Sequence, residues 1–137
     1  MGKILGLDYG KSKIGLALAD EQLKIALPYK IIKNKGGNFL FQELKKICEE
    51  EDVKQIIVGE PSQLTDNNQQ IIIEIKLFVK EAIKNLKIPI DFKDERMTTK
   101  MAKVLLKGSK IKDDDSVAAM IILQDYLDQK TIEVELR

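Results

Sequence analysis

Histidine is absent from this chain of 137 residues, and that one absence removes Ser-His-Asp and Cys-His nucleophile systems, histidine zinc sites and every imidazole general base. Any hydrolytic chemistry must rest on carboxylates, lysine or a metal ion. Cysteine is almost absent too. Cys48 stands alone, which rules out an intrachain disulfide and a cysteine-ligated zinc cluster, and its place on the apolar stripe of an expected helix assigns it to the core. No apolar run approaches the length needed to cross a bilayer, so no membrane partner is expected. The opening Met1-Gly2-Lys3-Ile4-Leu5 enters a strand-like segment without the charged-then-apolar layout of a secretory signal, and the expected location is cytoplasmic. A charge excess of either sign is also lacking. With a formal net charge of +1, any polyanion-binding site must be a local patch rather than a property of the whole surface.

What remains is an ordinary globular balance, 44% apolar and 33% charged, in a chain of the length of one domain. A single domain over 1–137 is expected. Residues 3–8 and 13–19 read as two strands joined by Tyr9-Gly10-Lys11-Ser12, a hairpin, and residues 25–32 supply a third strand before the Asn34-Lys35-Gly36-Gly37 breaker. Phe39, Leu40, Leu44, Ile47 and Cys48 recur at helical spacing, followed by an acidic run, Glu49 to Asp52, read as solvated surface. Residues 53–59 form a buried strand ended by Glu60-Pro61. A polar loop from Ser62 to Gln70 leads to an amphipathic helix marked by Ile71, Ile75, Phe78, Val79, Ala82, Ile83 and Leu86.

A short strand, residues 89–93, runs into Asp94-Glu95-Arg96. Thr98 or Thr99 caps a further helix ended by Gly108. The last helix begins within Asp113-Asp114-Asp115-Ser116, where acids favour the positive end of the helix dipole. The alternating Thr131-Ile-Glu-Val-Glu-Leu136 reads as an edge strand or ordered tail. The order implies an α/β protein with a mixed sheet flanked by helices, and Asp8, Glu60 and Glu95 all fall just past strands, where ligand sites of such sheets collect.

Each acidic feature alone has a plain structural reading. Asp8 can close a turn through its own backbone, Asp94-Glu95-Arg96 can be a surface ion pair ahead of a helix cap, and Asp115 can be a dipole-favoured residue. Together they say more. Gly6-Leu-Asp-Tyr-Gly-Lys-Ser-Lys-Ile-Gly-Leu-Ala17, Asp94-Glu-Arg-Met-Thr-Thr99 and Asp115-Ser-Val-Ala-Ala119 with Ile122-Leu-Gln-Asp-Tyr-Leu127 resemble, in order and spacing, the YqgF (RuvX) family, over roughly residues 3 to 128.

The resemblance implies a ribonuclease H-like fold and a metal-dependent nuclease that trims the 5′ end of precursor small-subunit (16S) ribosomal RNA in ribosome biogenesis. The family was earlier described as Holliday junction resolvases, which makes branched DNA the alternative substrate. By the resemblance Asp8, Glu95 and Asp115 match the catalytic, metal-binding acids. Crowded carboxylates of this kind suit two-metal phosphodiester hydrolysis without histidine, and oxygen-only ligation favours Mg²⁺ or Mn²⁺ over zinc.

Seven Lys/Arg against two acids between residues 93 and 112, with Lys100, Lys103 and Lys107 on one helical face, read as a phosphate track beside those acids. Arg96, Lys11 and Lys13 are further candidate nucleic-acid contacts. Three features depart from the family pattern, one of them the loop Ser62-Gln-Leu-Thr-Asp-Asn-Asn68, which lacks the glycine usual there. Glu60 occupies a place where an apolar residue is expected, either as a spare ligand or as a surface substitution, and Asp113 or Asp114 competes with Asp115 for the third ligand. A junction resolvase would be a dimer, whereas an RNA-trimming enzyme can be monomer or homodimer. Two non-nuclease readings stay open: a nucleotide-binding switch, for which one lobe of two is present, and a catalytically inactive RNA-binding or assembly factor.

Overall fold

The computed structural model describes residues 2–61, 65–95 and 114–135, with the backbone alone for Glu95, Asp114 and residues 131–135. The elements are β1 (Lys3–Tyr9), β2 (Lys13–Asp20), β3 (Ala26–Lys33), α1 (Gly37–Glu50), β4 (Val53–Pro61), α2 (Gln69–Leu86), β5 (Ile90–Glu95) and α3 (Asp114–Glu135). All five strands join one sheet in the order β3-β2-β1-β4-β5. The meander β1-β2-β3 is antiparallel, and β1, β4 and β5 run parallel. This is the mixed α/β sheet the sequence predicts. The expected helix from Thr98 or Thr99 to Gly108 lies outside the described residues.

Strand alternation sorts the core into two layers. Leu5, Leu7, Ile14, Leu16, Ile56 and Val58 face α1 and α2, where they meet Leu40, Leu44, Ile47, Cys48, Ile75, Phe78 and Val79. Ile4, Ala17, Ala19, Ala26 and Ile57 face α3, where they meet Ala119, Ile122, Leu123 and Leu127. Each fully buried Leu, Ile or Val contributes on the order of 1.5–3 kcal/mol by leaving water. The two layers differ in grain. The α1/α2 side is built from large side chains, whereas the sheet under α3 is largely alanine and glycine.

That difference sets how close α3 comes. A Cβ on Gly6 would sit 2.8 Å from Leu123 Cβ and 2.9 Å from the Ala119 carbonyl oxygen, and one on Gly15 would sit 2.0 Å from the carbonyl oxygen of Asp115. The first turn of α3 therefore rests on the bare backbone of β2. A side-chain amide ties the same helix to the edge of the sheet: the Ala26 N–H donates to Gln124 Oε1 at 2.8 Å, and Gln124 Nε2 donates to the Lys24 carbonyl at 3.2 Å.

Four local expectations are revised. The segment 131–135 is helix, not an edge strand. No Gly, Pro or Asn stands between Leu127 and Thr131 to stop α3, and extending a formed helix adds one hydrogen bond per residue fixed. Strand β4 continues through Pro61 rather than stopping at Gly59; beyond Val58 it has left the β1 ladder and keeps only β5 as neighbour, a strand end where a missing N–H is tolerated. Helix α2 begins at Gln69 and buries Ile72, while Ile83 is half exposed at 50%. Within the acidic run, Glu51 is an anchor rather than solvated surface. Its carboxylate accepts hydrogen bonds from Lys3 Nζ and from the Tyr29 hydroxyl, both at 3.0 Å, so the end of α1 is pinned to β1 and β3. The Lys3 ammonium, then the Tyr29 hydroxyl, hold the Glu51 carboxyl below its ordinary range.

Candidate active site

Strands β1, β4 and β5 are parallel, so their carboxyl ends gather at one edge of the sheet. Asp8 stands one residue before the end of β1, and its register partner across the hairpin is Gly15. On β1 the residues facing α3 are Ile4 and Gly6, and Asp8 follows in that row. Asp115 stands in the first turn of α3, and its backbone lies directly over Gly15. The two aspartates, 107 positions apart in the chain by their numbers, line one open cleft of about 320 Å³ together with Ser12, Lys13, Gly59 and Pro61. Both are partly exposed.

Glu95 is the last residue of β5 and pairs with Pro61. In β5 the Lys93 side chain faces α3 and donates to Gln129, so backbone alternation sets position 95 on that same face, at the same sheet edge as Asp8. Its side chain lies outside the described residues, as do Asp113 and the side chain of Asp114. Among the described residues no group of three or more Asp, Glu or Cys side chains stands ready to hold a metal. Glu60 occupies the opposite face. Ile56 and Val58 point into the α1/α2 core, Glu60 follows them in alternation, and the cleft is walled by Gly59 and Pro61 instead.

Of the cationic candidates, Lys13 lines the cleft and Lys11 sits on the adjoining hairpin turn, both exposed. Arg96, Lys100, Lys103 and Lys107 lie outside the described residues. The turn carrying Lys11 is clipped to the end of β3: Asn34 Nδ2 donates to the Gly10 carbonyl at 2.8 Å, and the Asn34 N–H donates to the Ser12 carbonyl at 2.9 Å.

A family model described as "RuvX: Holliday junction resolvase" matches residues 2–129. The chain belongs to the RuvX family. Among curated proteins it is 39% identical over 137 residues to a protein of Malacoplasma penetrans (strain HF-2) named "Putative pre-16S rRNA nuclease", covering 93% of this chain and 95% of the relative. A protein of the same name from Ehrlichia chaffeensis (strain ATCC CRL-10679 / Arkansas) is 36% identical over 132 residues, covering 92% and 85%. Among solved structures, T. thermophilus RuvC in complex with a Holliday junction substrate is similar at TM-score 0.62 with 14% identity, covering 96% of both chains. The Fowlpox virus resolvase with junction DNA is similar at TM-score 0.55 with 12% identity, covering 93% of this chain and 97% of that one. At such identities the structural likeness speaks to the ribonuclease H-like fold.

In this RuvX-family chain the residue that seats the start of α3, and that the sequence did not single out, is Gly15. Its signal was present: a glycine inside a strand marks a place where another backbone approaches. Gly59 leaves its part of the cleft wall without a side chain. The donor set suits a hard divalent cation, since two carboxylates meet in an open, water-accessible cleft. The sole thiol, Cys48, is buried in the α1/α2 layer, where desolvation pushes its pKa up to about 11.

Proposed function

We propose that this chain is a metal-dependent nuclease that hydrolyses phosphodiester bonds in precursor 16S ribosomal RNA, trimming its 5′ end during ribosome biogenesis. The observation that carries the reading is the placement of Asp115 over Gly15, which brings the carboxylates of Asp8 and Asp115 into one cleft. Position 95 on the same face and edge supplies the third acid, Glu95. The names of the curated relatives support RNA as the substrate.

Asp8, Asp115 and Glu95 would hold Mg²⁺ or Mn²⁺, which when bound lowers the pKa of water and stabilises charge developing on the phosphoryl oxygens. The chain's own part is placement. Asp8 directly follows the stretch of β1 that is paired on both sides, Lys3 to Leu7, and is itself paired with Gly15 of β2, so its position is set by the sheet and not by a loop. Asp115 is fixed by the close seat of α3. Two ionised carboxylates in one cleft repel each other, and this fold holds them together through the packing of α3, leaving a site that favours cations. Lys13 at the rim holds a phosphate without entering the carboxylate pair, and Gly59 leaves room for a nucleotide backbone to come close to the sheet. Arg96 and the lysines at 100, 103 and 107 extend the phosphate contacts in this reading.

The test is to sequence 16S ribosomal RNA ends after depletion of the protein, with wild type and Asp8→Asn as complementing copies. Wild type restores mature 5′ ends and Asp8→Asn leaves the precursor. Equal restoration by Asp8→Asn removes the catalytic reading and favours a non-catalytic assembly role. One observation favours a second reading, the description of the family model as a Holliday junction resolvase. Paired symmetric cuts in a four-way DNA junction by a stable dimer, with RNA left intact, would establish it.

A further inference from the structure

A second cavity adjoins the cleft. Its volume is about 710 Å³, and its walls carry Lys11, Lys13, Lys33 and Lys35 with Ser12 and Asn34. Ser12 and Lys13 line both this groove and the Asp8/Asp115 cleft, so the two hollows share a wall. Among the described residues no carboxylate lines the groove, and none of the four lysines forms an ion pair with a described carboxylate.

The charges are also placed against the grain of strand pairing. Lys13 and Lys33 are direct register partners across β2 and β3. Like charges directly opposite each other in an antiparallel pair cost stability, and two hydrogen bonds from Asn34 to the hairpin turn hold the arrangement in place. An anion between them reverses the sign of that cost. Asp8, Gly15 and Ile31 form one row across β1, β2 and β3; with strands about 4.8 Å apart, the row spans about 10 Å.

We propose that Lys33 and Lys35, together with Lys11 and Lys13, line a phosphate-tracking groove that leads a single RNA strand over the β2–β3 edge into the Asp8/Asp115 cleft. The assignment of RNA rests on the nuclease reading above. The groove gives the enzyme a polarity of approach, because the strand enters from the β3 side and meets the carboxylates at the end of β1.

The test is binding of a fluorescently labelled single-stranded oligoribonucleotide, free of divalent cations so that it is not cut, followed by anisotropy across a salt series. Lys33→Gln with Lys35→Gln should weaken binding and lower the slope of log K against log salt by about 1.4, near 0.7 for each single-strand phosphate that a lysine no longer neutralises. Lys33→Arg with Lys35→Arg should restore the slope. Thermal melting of the glutamine variant should be at or above wild type, since a like-charge pair is relieved, which separates weakened binding from impaired folding. An unchanged slope, or wild type that fails to bind the oligoribonucleotide, overturns the groove. Cleavage assayed separately with Mg²⁺ distinguishes the two proposals: cleavage with an unchanged slope removes the groove alone, whereas a lowered slope without any cleavage by wild type removes the nuclease reading alone.

Discussion

Gly15→Ala puts a methyl group where the structure has room for none. The added Cβ would lie 2.0 Å from the Asp115 carbonyl oxygen, 2.3 Å from its carbonyl carbon and 2.9 Å from its Cβ. Ordinary contact for such atoms is about 3.5 Å, and the obstacle is backbone, not the far end of a flexible side chain. The first turn of α3 must retreat by about 1.5 Å, or β2 must bend. Overpacking of this kind costs about 1–3 kcal/mol, which for a chain of this size lowers Tm by roughly 3–15 °C. A misplacement near 1 Å in a catalytic constellation costs about a hundredfold in rate. Gly6→Ala serves as the control. Its Cβ meets Ala119 and Leu123 further along α3, so it should lose comparable stability while Asp115 stays closer to its place. The assay is thermal melting by circular dichroism beside Mg²⁺-dependent RNA cleavage below both melting points. Gly15→Ala should lose far more cleavage than Gly6→Ala. If Gly15→Ala melts and cleaves like wild type, α3 does not press on β2 there and the geometry of the site is refuted.

Two further outcomes follow from ionisation. The Glu51 carboxyl is held below its ordinary range, so its contribution is fully present above about pH 4.5 and is lost as pH falls through the lower folded value. Glu51→Gln should therefore be less stable than wild type at neutral pH by at most about 1 kcal/mol, given the exposure of its pair with Lys3, and the difference should vanish in acid unfolding experiments. A difference that grows towards low pH contradicts the assignment. Cys48, buried and with its pKa pushed up to about 11, should resist a thiol reagent at about pH 8 in the native protein and react fully in denaturant. Rapid labelling of the native protein would place Cys48 outside the core.

Much of this architecture was written in local patterns. The hairpin followed from the Gly10-Lys11-Ser12 turn between two apolar runs, the α2 stripe from its spacing, and the placement of Asp8 and Asp115 from a strand end and a helix start. Four things were not legible, each for a physical reason. Which face α3 covers depends on tertiary packing of small residues, so the role of Gly15 emerged only when Asp115 was seen above it. The face taken by Glu60 depends on strand register, and a single residue of phase decides between cleft and core side. The helical path of residues 131–135 defied their alternating pattern because nothing halts α3 before them. The lysine opposition of Lys13 and Lys33 likewise needed the β2–β3 register, since the rest of both strands and the loop between them separate the two residues in sequence.

Divalent-cation binding by Asp8 and Asp115 as a pair is the centre of the account, and calorimetric titration of Mn²⁺ into the full chain tests it most directly. Wild type should bind, and Asp8→Asn and Asp115→Asn should each abolish binding together with RNA cleavage while melting at or above the wild-type temperature, since each removes one of two repelling charges. Retention of wild-type Mn²⁺ affinity by both variants would contradict it.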